Sequence, residues 1–221
     1  MIFVVDFDGT LAIEDTVDKL LEYHADPAWR ELEAEWLDGR ISALECMQGQ
    51  VRLVRADHAA LATFFEGIRL DPHFKAFRDY VSDFAEIAIV SDGIDHTIHT
   101  TLQRDGLASL PVFANELHFV GPDRFELTFP YREADCPGGN GVCKCAIARR
   151  LSGRHGGPIV LIGDGKSDAC LAAEADVVFA KGSLIRHCEA QGITHIPFND
   201  FADVLQNVQS WDTTSRLSAI A

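Results

Sequence analysis

Apolar and polar positions follow two rhythms along this chain, and the change of rhythm divides it. Short unbroken apolar runs, Ile2-Phe3-Val4-Val5, Ile87-Ala88-Ile89-Val90, Ile159-Val160-Leu161-Ile162 and Val177-Val178-Phe179-Ala180, fit strands covered on both faces. Between the first and second of them, from about Thr16 to Phe65, the spacing is helical. Val17, Leu20 and Leu21, then Trp29, Leu32, Trp36 and Leu37, then Ile41, Leu44, Met47, Val51 and Val54, then Leu61, Phe64 and Phe65 mark four short amphipathic helices. Pro27 suits a first helical position, Ser42 and Asp57 suit N-caps, and Gly39 and Gly67 suit helix ends. The tryptophans and Met47 of this segment are read as its core.

From Asp71-Pro72 the pattern gives a helix to near Phe84, the strand ending at Val90, and a helix over about Asp95–Arg104. Val112-Phe113 follows, then a hairpin with arms near Leu117–Val120 and Phe125–Phe129. A glycine-rich loop, 136–143, feeds a helix beginning near Lys144. After the strands at 159 and 177 come a helix near Leu184–Glu189, a short strand His195-Ile196 and a last helix from Asp200, with a tail after Trp211 read as partly disordered. Alternating strands and helices predict an α/β fold, a doubly wound, mainly parallel, Rossmann-like sheet built from residues 1–15 and 71–221. Residues 16–70 form an inserted α-helical cap over the sheet's carboxyl edge, where such folds bind ligands.

Three strands end on chemistry at that edge. The first runs into Asp6-Phe7-Asp8-Gly9-Thr10, the second into Ser91-Asp92-Gly93, and the third into Gly163-Asp164-Gly165-Lys166-Ser167-Asp168. Asp6 can attack a phosphorus atom, and Asp8 can protonate the leaving oxygen and later deprotonate water. Ser91, with the backbone N–H groups of Asp92 and Gly93, can hold phosphate oxygens, while the Asp92 side chain is expected to point to solvent. Lys144, at a helix start, can neutralise the nucleophile and the phosphoryl charge. Asp6, Asp8 and Asp164 are candidate cation ligands, and Asp168, one turn further on, can support either the cation or Lys144. Oxygen-only ligands favour Mg²⁺ over zinc. Glu14 and Asp15 open the first cap helix, where acidic residues favour an N-terminus, and Asp15 is also a candidate substrate contact. His96 and His99 are read as solvated helix residues.

With 221 residues the chain is long enough for a full core and one smaller unit. Nineteen Lys and Arg against 34 Asp and Glu give a net charge of −15, which opposes nucleic acid and anionic membranes as partners. That balance also repels an anionic substrate unless the site supplies local positive charge, so a metal ion, a lysine or helix N-termini are required. No run approaches the ~20 apolar residues of a membrane span. The first strand starts at residue 2 without the basic start and longer apolar run of a signal peptide, so a cytoplasmic location is expected. Six cysteines are too few for a disulfide scaffold at this size and are expected to be reduced; Cys136, Cys143 and Cys145 lie close in sequence, without an obvious fourth metal ligand. Pairing of two chains through an apolar cap face is left open.

These segments resemble the four motifs of the haloacid dehalogenase-like phosphatases: Asp-Phe-Asp-Gly-Thr, Ser91, Lys144 and Gly-Asp-Gly-Lys-Ser-Asp, in the family's order. The helical insert falls between the first and second, as in the subgroup with a small helical cap. The resemblance implies Mg²⁺-dependent hydrolysis of a small phosphorylated metabolite through an aspartyl-phosphate on Asp6. Asp8 favours a phosphatase over a dehalogenase. Within the subgroup, phosphoserine phosphatases carry a glutamate where Asp15 stands, and a cap phenylalanine and arginine where Ala43 and Gln50 fall. The stretches Phe179–Leu184 and His195–Phe201, Asp15 and the Cys-rich approach to Lys144 are more similar to the methionine-salvage branch, whose substrate is an enol phosphate. Ser-Asp-Gly stands where Ser-Gly-Gly is common. A broad small-metabolite phosphatase is an alternative. A phosphate-responsive signalling module is another, and it would lack a general acid two residues past the phosphorylated aspartate, as well as a lid.

Overall fold

The computed structural model describes residues 1–136 and 138–211. Its strands, β1 (Ile2–Val5), β2 (Glu86–Ile94), β3 (Val112–Gly121), β4 (Arg124–Thr128), β5 (Ile159–Gly163), β6 (Val177–Ala180) and β7 (Ile196–Pro197), form one seven-stranded sheet in the order β4-β3-β2-β1-β5-β6-β7. All neighbours are parallel except β3 and β4. β1 lies between β2 and β5, with Val5 level with Ile89 on one side and Ile162 on the other. The three strands that end on candidate chemistry are therefore adjacent, at the point where strand order reverses.

Alternation along each buried strand sends residues to two cores. Phe3, Val5, Ile87, Ile89, Val160 and Ile162 pack on one face, against helices α5 (Phe74–Val81), α6 (Asp95–Arg104) and α10 (Phe201–Gln209). Ile2, Val4, Ala88, Val90, Ile159 and Leu161 pack on the other, against α7 (Lys144–His155), α8 (Ala169–Ala172) and α9 (Gly182–Gln191). Every residue of β1 is buried. At about 1.5–3 kcal/mol for each fully buried large side chain, this double coverage fixes the strand that carries Asp6 more firmly than local propensity could.

The insertion comprises α1 (Thr16–His24), α2 (Trp29–Leu37), α3 (Ala43–Arg52) and α4 (His58–Glu66). Its starts are those expected of the capping residues: Ser42 and Glu45 form a reciprocal capping box, and Asp57 accepts from Ala60 N at 2.8 Å. Leu20, Leu21, Trp29, Val51, Val54, Leu61 and Phe65 form its core, closed by Ile94, Leu117, Phe125 and Leu127 of β2, β3 and β4. The chain leaves and re-enters the sheet side by side: Ala12 bridges Leu70, Ile13 N donates to Arg69 O at 3.0 Å, and Asp71 N donates to Leu11 O at 2.9 Å.

Two strands run further than their apolar patterns. β2 continues through Ser91-Asp92-Gly93 to Ile94, pairing again with β3 past an irregularity between Val90 and Ile94. β3 is one strand from Val112 to Gly121, not a short strand followed by a hairpin arm. Polar Asn115 and Glu116 break its pattern, yet Asn115 is buried and its amide is engaged. The predicted tail after Trp211 lies outside the described residues.

Candidate active site

Asp6 ends β1 with its carboxylate buried. Oδ1 accepts from Phe7 N at 2.9 Å and lies 2.8 Å from the ammonium of Lys144. Lys144 is the first residue of α7 and is fully buried, and its Nζ also donates to Asp168 Oδ1 at 2.5 Å. The other oxygen of Asp168 accepts from Asp164 N and Gly165 N, each at 3.1 Å. Asp168 is thus held from both sides and in turn aims Lys144. Removing one member would leave a buried charge uncompensated, at a cost of about 3–5 kcal/mol.

Negative charge exceeds positive in this pocket. One oxygen each of Asp6, Asp164 and Asp168 lie within 4.8 Å of one another. Burial and the Asp168 charge raise Asp6 well above the usual carboxylate range against the pull of Lys144, and push Asp164 up to about 6. Burial acts on Lys144 in the opposite sense, pulling it down, but the charges and hydrogen bonds of Asp168 and Asp6 outweigh that desolvation and hold it above its ordinary value. Three carboxylates sharing one ammonium, with oxygen donors only, fit a hard divalent cation such as Mg²⁺. The carboxylate of Asp8 is not in that cluster; Asp168, which sequence placed in a supporting role, is.

Asp8 faces the other way. Its Oδ1 accepts from Thr16 N at 2.9 Å and Thr16 Oγ1 at 2.5 Å, both at the start of the cap, and its Oδ2 from Ser91 Oγ at 3.4 Å. Burial, reinforced by the nearby Asp15 charge, pushes Asp8 up to about 7, a value suited to giving and taking a proton near neutrality. Two glycines permit this crowding. Gly9 turns the chain at φ +64°, and a Cβ there would stand 2.6 Å from Asp164 Oδ2; a Cβ at Gly93 would stand 2.2 Å from Asp8 Oδ2. Ser91 is buried, and its Oγ accepts from Gly93 N at 3.0 Å.

These residues floor a cleft of about 350 Å³ whose walls include Asp15, Asp18, Trp36, Met47, Asp92, Lys166, Ser167 and Ser183. An adjoining pocket of about 150 Å³ is lined by Glu33, Ala43, Cys46 and Gln50 along with several of the same walls. Asp15 stands at the cleft and also caps α1, accepting from Asp18 N at 2.9 Å. Asp18 is exposed at the cleft, yet partial desolvation there, with the charges of Asp15 and Glu33 nearby, pushes it up to about 6.

Three sequence readings need correction. Asp92 does not point to solvent: its Oδ1 accepts from Val142 N at 2.9 Å, and Asn115 Nδ2 lies 3.3 Å away. Trp36 is not cap core but a cleft wall, with Lys166 Nζ 4.7 Å over its ring, and Met47 packs on the cap core while also facing the cleft. Trp29 is core as expected. Gln50, Lys166, Ser183 and Lys181 carried no sequence assignment as site residues. Ser183 Oγ donates to Asp164 O at 3.2 Å and Lys181 Nζ to Thr10 O at 3.3 Å, so α9 and its preceding residue brace the loop after β5 and the turn after β1. The sequence signal for Lys166 was its place between Asp164 and Asp168; for Gln50 it was its place where the phosphoserine phosphatases carry a cap arginine. His96 pairs with Asp95 at 3.0 Å, and its ring packs on Phe119. All six cysteines are free thiols.

A profile of the haloacid dehalogenase-like hydrolases matches residues 3–173. The 2-hydroxy-3-keto-5-methylthiopentenyl-1-phosphate phosphatase of Exiguobacterium sibiricum is 33% identical over 210 residues, covering 93% of this chain and 94% of its own. Its Geobacillus kaustophilus counterpart is 31% identical over 216 residues, covering 95% and 96%. A phosphoserine phosphatase solved as a phospho-aspartyl intermediate analogue superposes with a TM-score of 0.70 over 93% of this chain and 97% of that one, at 18% identity, a likeness of fold alone. No helix among the described residues is long and apolar enough to cross a membrane. Matched along most of its length by the profile and along nine-tenths by these relatives, the chain belongs to the haloacid dehalogenase-like hydrolase family, among its phosphatases.

Proposed function

We propose that this phosphatase hydrolyses a small enol phosphate of the kind named for its relatives, 2-hydroxy-3-keto-5-methylthiopentenyl-1-phosphate, through an acyl phosphate on Asp6. The observation that carries the chemistry is the division of labour between the two aspartates. Asp6 lies 2.8 Å from a buried ammonium, while Asp8, two residues on, is held near neutrality on a separate set of partners.

In the first step a carboxylate oxygen of Asp6 bonds to phosphorus as the bond to the organic oxygen breaks, and Asp8 gives its proton to that leaving oxygen. In the second step water attacks the same phosphorus, Asp8 takes its proton back, and inorganic phosphate leaves with the Asp6 carboxylate restored. Ser91 and the N–H groups beside it hold phosphoryl oxygens, and Lys144 offsets charge that builds on them. Mg²⁺ held by Asp6, Asp164 and Asp168, with Asp8 the remaining candidate from sequence, would supply further charge neutralisation. The cap walls exclude water and select the substrate.

Support for an uncharged organic part comes from the adjoining pocket. Trp36, Ala43, Cys46 and Met47 offer an apolar wall suited to a methylthio group. Its basic lining residue is Lys166, seated over the Trp36 ring, and among the described residues the lining includes no arginine to grip a substrate carboxylate with two parallel bonds. Gln50 is buried, faces the pocket, and has no side-chain hydrogen bond among the described residues, leaving its amide for a keto or hydroxyl oxygen. Asp18 and Glu33 on the same wall favour a second reading, a phosphate ester with a cationic tail.

The test is kcat/KM with Mg²⁺ on the enol phosphate, phosphoserine and choline phosphate. A preference above about 100-fold for the enol phosphate, near 2.7 kcal/mol in the transition state, is the expected result. A preference for choline phosphate supports the second reading, and a flat profile refutes both assignments of the pocket.

A further inference from the structure

Asp92 is the residue at which this chain departs from the common Ser-Gly-Gly, and the mechanism above does not use its side chain. We propose that Asp92 is a positioning residue for Lys144: its carboxylate latches the phosphate-binding turn of β2 to the glycine-rich loop that delivers the lysine.

The latch joins Asp92 to two partners, one on the loop and one on β3. Asp92 Oδ1 accepts from Val142 N at 2.9 Å, two residues before Lys144. Asn115 of β3 donates Nδ2 to Asp92 O at 2.6 Å, with Oδ1 of Asp92 at 3.3 Å, so the strand next to β2 holds both ends of the aspartate. The loop residue between these partners has to be small: a Cβ on Gly141 would stand 2.5 Å from Asn115 Oδ1 and 2.5 Å from Phe129.

The rest of the loop is tethered elsewhere. Asn140 Nδ2 donates to Ser167 O at 3.1 Å and Cys143 N to Tyr131 O at 2.9 Å, while Val142 is buried. Of these three tethers, only the Asp92 bond ties the loop to the strand end that carries Ser91. That matters because Ser91 and Lys144 act on one phosphoryl group from different elements. β2 and α7 are 50 residues apart in sequence at the latch, and Lys144 reaches Asp6 at 2.8 Å only if its helix starts at the right place. A peptide N–H so close to the lysine, bonded at 2.9 Å to a side-chain oxygen of Asp92, sets that start from the strand that carries Ser91.

The inference rests on Lys144 acting as the cation of the proposed mechanism, and the experiment separates the two. Turnover of p-nitrophenyl phosphate with saturating Mg²⁺ is measured for Asp92→Ala, Asp92→Asn, Lys144→Ala and the Asp92→Ala/Lys144→Ala pair, each checked for folding by circular dichroism. Misplacement of a catalytic group by about 1 Å can cost about 100-fold, so Asp92→Ala is expected to lower kcat by about 10- to 100-fold. Asp92→Asn, which keeps an oxygen to accept from Val142 N, is expected to stay within about 5-fold of wild type. In the Lys144→Ala background, losing Asp92 is expected to cost less than about 3-fold, because the residue it positions is gone. Penalties that multiply in the pair, or an Asp92→Asn variant as impaired as Asp92→Ala, overturn the latch while leaving the phosphatase mechanism intact. Wild-type turnover in Lys144→Ala overturns the role of the lysine and the latch together.

Discussion

The floor of the cleft and its cap wall are built on opposite principles. On the floor, Asp6, Lys144 and Asp168 are buried and linked through the Lys144 ammonium at 2.5–2.8 Å, Asp6 next to a strand covered on both faces and Lys144 at a helix start. On the wall, Asp15 and Asp18 are exposed, Trp36 and Met47 are half-buried, and Gln50 has no side-chain hydrogen bond among the described residues. A group that must meet a phosphorus atom within tenths of an ångström needs over-determined support. A wall that has only to distinguish one organic tail from another works by shape and by the polar groups it leaves open. The difference teaches that chemistry and choice of substrate are separately adjustable in this molecule.

The hardest blow to the floor is the sharpest check on that contrast. Asp6→Asn removes the nucleophile and is expected to lower kcat on the order of 10⁴-fold, with no acid-stable phosphoprotein trapped from labelled substrate. Near-normal turnover would refute the covalent route.

A second prediction concerns the floor's surplus charge. Asp8 and Asp164, at about 7 and about 6, bind protons more tightly in the folded chain than in an unfolded one. Their contribution to stability is therefore complete below about pH 4 and lost as pH rises through 6 to 7. Without divalent cations, the melting temperature is expected to fall by several degrees between pH 5 and pH 8, and Mg²⁺ is expected to restore more of it at pH 8 than at pH 5. A metal-free melting temperature that rises over that range would contradict the crowding argument.

The mildest changes are expected on the wall. Met47→Ala and Gln50→Ala should each raise KM for the preferred substrate about 10-fold, while kcat on p-nitrophenyl phosphate stays within about 2-fold. A matching loss on both substrates would show that the wall also supports the chemistry.

The same division explains what could be read from sequence. Unbroken apolar runs announced β1, β2, β5 and β6, because burial on both faces leaves little freedom of composition, and the aspartates, Ser91 and Lys144 stand at their ends or at a helix start. Asn115 hid the true length of β3, since its side-chain Nδ2 finds the Asp92 carbonyl only once the two strands lie side by side, while its buried Oδ1 has no partner among the described residues. Helical spacing marked Trp36 and Met47 as apolar positions on the cap helices, but a stripe broad enough to face the helix bundle is broad enough to reach the cleft. Asp92 was visible as a departure, yet its partner Val142 is 50 residues away and nothing local announces it.

The bridge of Ala12 with Leu70 closes the cap as a loop at its base. Because the insertion begins and ends on paired backbone, its two ends are already together whatever lies between them. Each doubling of the intervening length costs only about 0.6 kcal/mol in closure entropy. A change in the length of the helical segment therefore weighs little on the junction itself, and β1 keeps its register with Asp6 in place.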